Sequence, residues 1–299
     1  MSREQRAKID RMLRASQSDA TKSAEENRAG LAALMATMKL VPEGIRTTET
    51  TLGDRRAVLV EPVEHPRAGT ILYFHGGSFV SGSPEAALSL TGGLVVKTGF
   101  RALSPAYRLA PEHPFPAAID DTLAAYRVLL ERGEDPCAIA FAGDSAGGGL
   151  TVTTCLAARA AGLPLPAAIV AFSPGLDATR TGESMDAKEG IDPFLSREKL
   201  KPPSAMYLAG QDPHQELLSP AVLADLTGFP PILLQVGTNE VLLDDSTRLA
   251  ARARNAGVDV ILDVTAGVPH AFPSFAGVLD EADQALDRAA LFLAQQLKR

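Results

Sequence analysis

Residues 143–148 read Gly-Asp-Ser-Ala-Gly-Gly, between an apolar run, Ala138–Ala142, and an Ala/Leu/Thr-rich stretch, Leu150–Ala161. That setting is strand, turn, helix, and a sharp turn there forces the Ser145 hydroxyl clear of the backbone. Gly143 and Gly147 flank a residue held in strained backbone geometry, where a Cβ would collide with the neighbouring strand or helix. The turn also opens a helix, so free N–H groups and the positive end of its dipole face whatever Ser145 attacks. Ser145 is therefore a candidate nucleophile. The plain alternative is an ordinary tight turn in a chain with 25 glycines.

Working outward, short apolar runs alternate with helical patterns. Strands are expected at Ala57–Val60, Thr70–Phe74, Arg101–Ser104, Ala138–Ala142, Ala167–Phe172, Ile232–Val236 and Asp259–Val264. Helices are expected at 85–97, 117–132, 196–208, 244–256 and 279–297, and the first forty residues carry helical spacing as well. Such alternation predicts βαβ units in an α/β protein, a mostly parallel central sheet flanked by helices. Ligands then bind where strands end at their carboxyl edge. The loops that matter follow Phe74, Ala142, Val236 and Val264.

Each of those four loops carries a reactive or polarising group. A serine nucleophile needs a base, and the base needs a carboxylate to hold its tautomer. The chain has five histidines. His65, His113 and His214 lie in turns or irregular stretches, and His75 begins a Gly-Gly loop that it is expected to brace. His270 alone follows the last strand in a loop, shaped by Gly267 and Pro269, and is the expected base. For the acid, Glu240 comes first after Val236. Asp244 stays open as a rival, although it and Asp245 fit a helix start. Acyl transfer builds negative charge on a carbonyl oxygen, which backbone N–H groups can meet. The loop Gly76, Gly77, Ser78, together with Ala146 just past the nucleophile, is the expected oxyanion hole: the amides of Gly77, Ser78 and Ala146 are the candidate donors, and Gly76 and Gly77 let the backbone approach without a Cβ.

Bulk numbers bound the rest. The chain has 299 residues, 45% hydrophobic and 22% charged, with a formal net charge of −7. That balance argues against nucleic acid as a partner. The first twenty residues carry charge without an apolar core, and no stretch approaches the ~18 apolar residues of a membrane span. Cys137 and Cys155 are too few for a disulfide framework or metal cluster and read as buried free thiols, suiting a cytoplasmic location.

With these residues in hand, the chain resembles the hormone-sensitive-lipase branch of the α/β-hydrolases, bacterial carboxylesterases in particular. The matching segments are His75-Gly-Gly-Ser-Phe79, Tyr107–Ala117 (YRLAPEHPFPA), Gly143–Gly148, Ser219-Pro220, Val236–Asp245 (VGTNEVLLDD) and Gly267–Phe272 (GVPHAF). The resemblance implies an α/β-hydrolase fold with a helical cap, Ser145 as nucleophile, Glu240 as acid and His270 as base. It places the catalytic domain at 41–176 and 216–299 and the cap at 1–40 and 177–215. Met35, Met38, Phe194, Met206, Tyr207 and Leu208 become candidate pocket residues. It further implies hydrolysis of a small ester without metal or organic cofactor, and a homodimer, for which the edge strand 259–264 is a candidate contact. Lactone, carbamate or amide hydrolysis would use the same triad, and a non-catalytic ligand receptor on this fold is the remaining alternative. Two departures stand out: Ser78 replaces the usual third glycine, and Glu240-Val-Leu replaces the commoner Asp-Pro-Leu.

Overall fold

The computed structural model describes residues 2–15, 23–38 and 41–297. Eight strands form one sheet: β1 (Ile45–Leu52), β2 (Arg55–Pro62), β3 (Thr70–Phe74), β4 (Arg101–Pro105), β5 (Ile139–Asp144), β6 (Ala168–Phe172), β7 (Ile232–Gly237) and β8 (Val260–Thr265). Their order is β1-β2-β4-β3-β5-β6-β7-β8. The pairs β1/β2 and β2/β4 are antiparallel, and all others are parallel.

Both faces of the central strands are covered, so those strands are largely apolar, with a few buried polar side chains such as Thr70 and Gln235. The twofold alternation still sorts their side chains. Leu72, Phe74, Phe141, Ile169, Ile232 and Leu234 enter one core cluster, beneath the helices 117–131, 146–160 and 243–255. Ile71, Tyr73, Ala140, Val170, Phe172 and Leu233 enter the other, under the helices 88–98 and 280–296. Burial of each large apolar side chain contributes about 1.5–3 kcal/mol.

The first strand, β1, was not among the expected elements. Its sequence, IRTTETTL, buries only Leu52 and offers no apolar face. It forms because its whole length pairs with β2 across the turn at Gly53-Asp54. The helical stretch expected over residues 1–40 contains two helices, Ser2–Ala15 and Ala24–Met38. The helix expected from Glu85 starts at Leu88. Cys137 is exposed, because it sits in a short 3-10 turn ahead of β5, whereas Cys155 is buried in the core. Among the described residues no helix is long and apolar enough to cross a membrane. At the sheet's far edge, β8 leaves Ile261 and Val264 exposed.

One residue separates β5 from the helix 146–160. Ser145 takes φ 54° and ψ −119° there, a left-handed geometry that a side chain rarely adopts. Crowding around it explains the glycines. A Cβ on Gly147 would stand 2.0 Å from the Phe74 carbonyl oxygen, and one on Gly143 would stand 2.4 Å from the Gly147 oxygen. Both obstacles are backbone and cannot rotate away. Gly147→Ala is expected to destabilise the protein by roughly 3 kcal/mol, seen as a lower urea midpoint. An unchanged midpoint would mean that the turn relaxes freely.

Candidate active site

The turn after β5, the loop after β7 and the loop after β8 bring three distant side chains together. His270 Nε2 lies 2.9 Å from Ser145 Oγ, and His270 Nδ1 lies 2.9 Å from Glu240 Oε2. Donation from Nδ1–H to Glu240 leaves Nε2 free to accept the Ser145 hydroxyl proton. The other Glu240 oxygen accepts the Gly237 N–H and the Ser173 hydroxyl, the latter at 2.7 Å. Glu240 is fully buried and His270 nearly so.

Burial alone would lower the His270 imidazolium. The hydrogen bond and charge of Glu240 oppose this, aided by the charges of Asp192 and Asp144, and the net direction is upward. Burial pushes the Glu240 carboxyl up, while His270, the Gly237 amide and the Ser173 hydroxyl pull it back toward the anion.

Asp244 stands elsewhere. Its carboxylate accepts the Ser184 amide at 2.8 Å and the Thr247 hydroxyl at 3.2 Å, tying the helix 243–255 to the segment around residue 184. It makes no contact with His270. Asp244 sits in the first turn of that helix, and its bonds go to Ser184 and Thr247.

The glycine loop after β3 is held from beneath. His75 stacks on Tyr107 with centroids 4.2 Å apart and shares a 2.8 Å hydrogen bond with the Gly76 carbonyl. Burial pushes its pKa down to about 4, so the ring stays neutral and braces the loop. The Tyr107 hydroxyl donates to the His75 carbonyl at 2.7 Å. Beyond this brace the chain turns through positive φ at Gly77, Ser78 and Phe79. The N–H groups of Gly77, Ser78 and Ala146 donate to nothing among the described residues. Gly76 allows the close backbone approach expected of it, with Asp144 as the neighbour. Its N–H donates to Asp144 Oδ1 at 3.1 Å, and a Cβ there would stand 2.3 Å from Asp144 Oδ2. Gly76 thus makes room for a carboxylate and is not a free donor.

The polypeptide from β3 through the loop after β8 matches a known family. A model described as alpha/beta hydrolase fold covers residues 71–274. The chain belongs to the α/β-hydrolase family. A crystal structure of an esterase from the bacterial hormone-sensitive lipase family superposes with a TM-score of 0.94 at 39% identity, covering 99% of both chains. An acetyl-hydrolase of Streptomyces hygroscopicus is 42% identical over 243 residues, 81% of each chain. An esterase of Acinetobacter venetianus is 37% identical over 223 residues, 74% of this chain and 73% of the relative. The α/β-hydrolase sheet and helices are all present, and the chain falls in the hormone-sensitive-lipase branch of the family.

Two cavities open at Ser145 in this α/β-hydrolase. The larger, about 280 Å³, runs under Leu31, Leu34 and Met35 and is bounded by Phe194, His270 and Pro202. The smaller, about 60 Å³, lies on the other side, against Ala146, Arg180, Tyr207 and Leu208. Phe79 stacks on Tyr207 at 3.8 Å and forms part of its wall. Of the expected pocket residues, Met35 and Phe194 thus line the larger cavity, and Tyr207 and Leu208 the smaller. Met206 lines neither. It packs against the main core, because helical geometry turns it away from its neighbours. Met38 lies outside the described side chains.

Several residues at the site were not expected. Ser173, at the end of β6, donates to Glu240 and accepts the Ala271 N–H at 2.9 Å, joining acid and base loops. A fifth strand end, after Phe172, was the signal that could have found it. Asp192 is buried and accepts the amides of Val241, Phe194 and Leu195 at 2.9–3.0 Å. It fastens the Phe194 segment to the acid loop, and the Phe194 ring lies nearly parallel to His270 at 6.2 Å. No spacing in the sequence points to that contact.

Proposed function

We propose that the protein is a serine carboxylesterase that hydrolyses small, short-acyl esters through an acyl-Ser145 intermediate. The observation that carries this reading is the unbroken chain from Ser145 through His270 to Glu240, with two bonds of 2.9 Å, at cavities also lined by Gly77, Ser78 and Ala146.

In this mechanism His270 Nε2 takes the hydroxyl proton as Ser145 Oγ bonds to the ester carbonyl carbon. Negative charge moves onto the carbonyl oxygen, where the N–H groups of Gly77, Ser78 and Ala146 meet it. Each such donor is worth on the order of 10²–10³ in rate. The tetrahedral species collapses, the bond to the alcohol oxygen breaks, and His270 delivers the proton to that oxygen. Water then attacks the acyl-serine with His270 again as base, releasing the acid and restoring Ser145.

Proton delivery orients the substrate. His270 lines the larger cavity and not the smaller one. The leaving alcohol therefore lies in the larger cavity and the acyl chain in the smaller. The helix Ala24–Met38 and residues 177–215 serve as a cap, since Leu31, Leu34, Met35, Phe194 and Pro202 roof the alcohol side. A 60 Å³ acyl side has room for roughly four water-sized groups. On p-nitrophenyl esters kcat/KM is expected to be highest near acetate to butyrate and to fall about 100-fold by palmitate, because the extra methylenes find no space. Faster turnover of long-chain triglyceride emulsions than of the butyrate would sink this reading.

A further inference from the structure

The smaller cavity contains a charge that an apolar ester does not need. Arg180 lines it together with Ser145 and Ala146. Its Nε is buried without a hydrogen-bond partner, and the guanidinium forms no ion pair among the described residues. Among the described residues, its side chain makes one hydrogen bond, a long 3.4 Å one from Nη2 to Ser204. The side chain as a whole is half-buried, but the buried Nε–H beside the nucleophile is a donor left for a ligand to satisfy.

The backbone is built to present that side chain. Arg180 adopts φ 55° without being glycine, a conformation that persists only where surrounding structure imposes it. The surrounding structure here is Asp177. One carboxylate oxygen accepts the Thr179 amide and hydroxyl, and the other accepts the Thr181 amide and hydroxyl and faces Arg248. Asp177 also borders the cavity, yet both its oxygens are engaged by these groups and by Arg248. The buried carboxylate of Asp245 accepts the amides of Leu176 and Asp177 through one oxygen, and burial raises its pKa to about 7 while the charge of Arg180 pulls it back down, so Asp245 feels Arg180 across a gap. Neither acid reaches Arg180 as an ion-pair partner.

We propose that Arg180 is a specificity-determining residue that selects esters whose short acyl chain ends in a carboxylate, namely half-esters of short dicarboxylic acids. The inference rests on the assignment of the smaller cavity to the acyl chain. With Ser145 bonded to the carbonyl carbon, the far end of a three- or four-carbon acyl chain lies among the residues that wall this cavity. A carboxylate there would accept the Nε–H and a neighbouring guanidinium N–H, in the paired geometry that arginine offers. The chemistry at the carbonyl is unchanged: Ser145 Oγ replaces the alcohol oxygen, and water later replaces Ser145.

The test compares ethyl butyrate, monoethyl malonate and monoethyl succinate as substrates, following released ethanol, in the wild type, Arg180→Met and Arg180→Lys. The quantity read is kcat/KM for each half-ester divided by kcat/KM for ethyl butyrate. In the wild type that ratio should be one or greater for at least one half-ester. In Arg180→Met it should fall about 10-fold or more, chiefly through KM, and Arg180→Lys should recover part of it. A ratio that does not move in Arg180→Met, or a wild type that favours ethyl butyrate more than 10-fold over both half-esters, overturns the proposal. A second measurement needs no variant: succinate or malonate should inhibit the wild type competitively at a concentration at least 10-fold below butyrate, and equal inhibition counts against Arg180. If ethyl butyrate itself is not hydrolysed, the esterase reading fails. If it is hydrolysed and the half-esters are not, only the role of Arg180 fails.

Discussion

Ser145→Ala should lower kcat on p-nitrophenyl butyrate by about 10⁵-fold or more while leaving the urea midpoint within error. The loss is large because Ser145 Oγ supplies the bond that defines the intermediate, and no neighbouring group replaces it. His270 could still activate a water, but that water would have to be positioned without a covalent tether. A residual rate above background would come from the amides of Gly77, Ser78 and Ala146 and from substrate binding alone. Stability is spared for a stated reason. The hydroxyl's single hydrogen bond is to His270, and alanine meets the same φ of 54° that serine already tolerates. Retention of more than about 1% of the wild-type kcat would show that the nucleophile is elsewhere.

The second large effect separates the two acids. Glu240→Gln should reduce kcat by about 10³–10⁴-fold, because a neutral amide no longer stabilises the imidazolium or enforces its tautomer. Asp244→Asn should stay within about threefold, since Asp244 bonds Ser184 and Thr247 and has no path to the base. The pH profile adds an independent readout. His270 acts as a base only when neutral, and Glu240 shifts it upward from its ordinary value of 6.5. In the wild type, kcat/KM should therefore rise with pH along a limb whose midpoint lies above 6.5. Removing the Glu240 charge leaves the burial of His270 in place, and burial favours the neutral ring. The residual activity of Glu240→Gln should accordingly have its midpoint below that of the wild type. A collapse in Asp244→Asn, with Glu240→Gln nearly intact, would reverse the assignment.

Much of the fold was legible because its cues are local. Phe141-Ala142-Gly143 and Gly147-Gly148 report a strand, a turn and a helix within ten residues. Backbone sterics allow few other arrangements there. The runs Thr70–Phe74 and Ile232–Val236 are apolar but for Thr70 and Gln235, because both faces of a parallel strand are covered. β1 escaped notice because pairing with β2 stabilises it, and its own side chains bury almost nothing. Cys137 shows the converse: an apolar neighbourhood in sequence did not mean burial, because the chain was turning outside the sheet.

By itself, the sequence determined that a serine sits on a strained turn at a strand end and that a histidine follows the last strand. The first of these depends on residues within a few positions of one another, and the mainly parallel sheet follows from strands alternating with helices along the chain. The assembled molecule adds which carboxylate faces His270, that the Gly76 amide belongs to Asp144, and that Arg180 borders the small cavity with no ion-pair partner among the described residues. Those outcomes turn on side chains 30 to 125 residues apart, such as the pairs Glu240–His270 and Ser145–His270. Strand register and helix rotation set such distances to within an ångström, and no short stretch of sequence contains them.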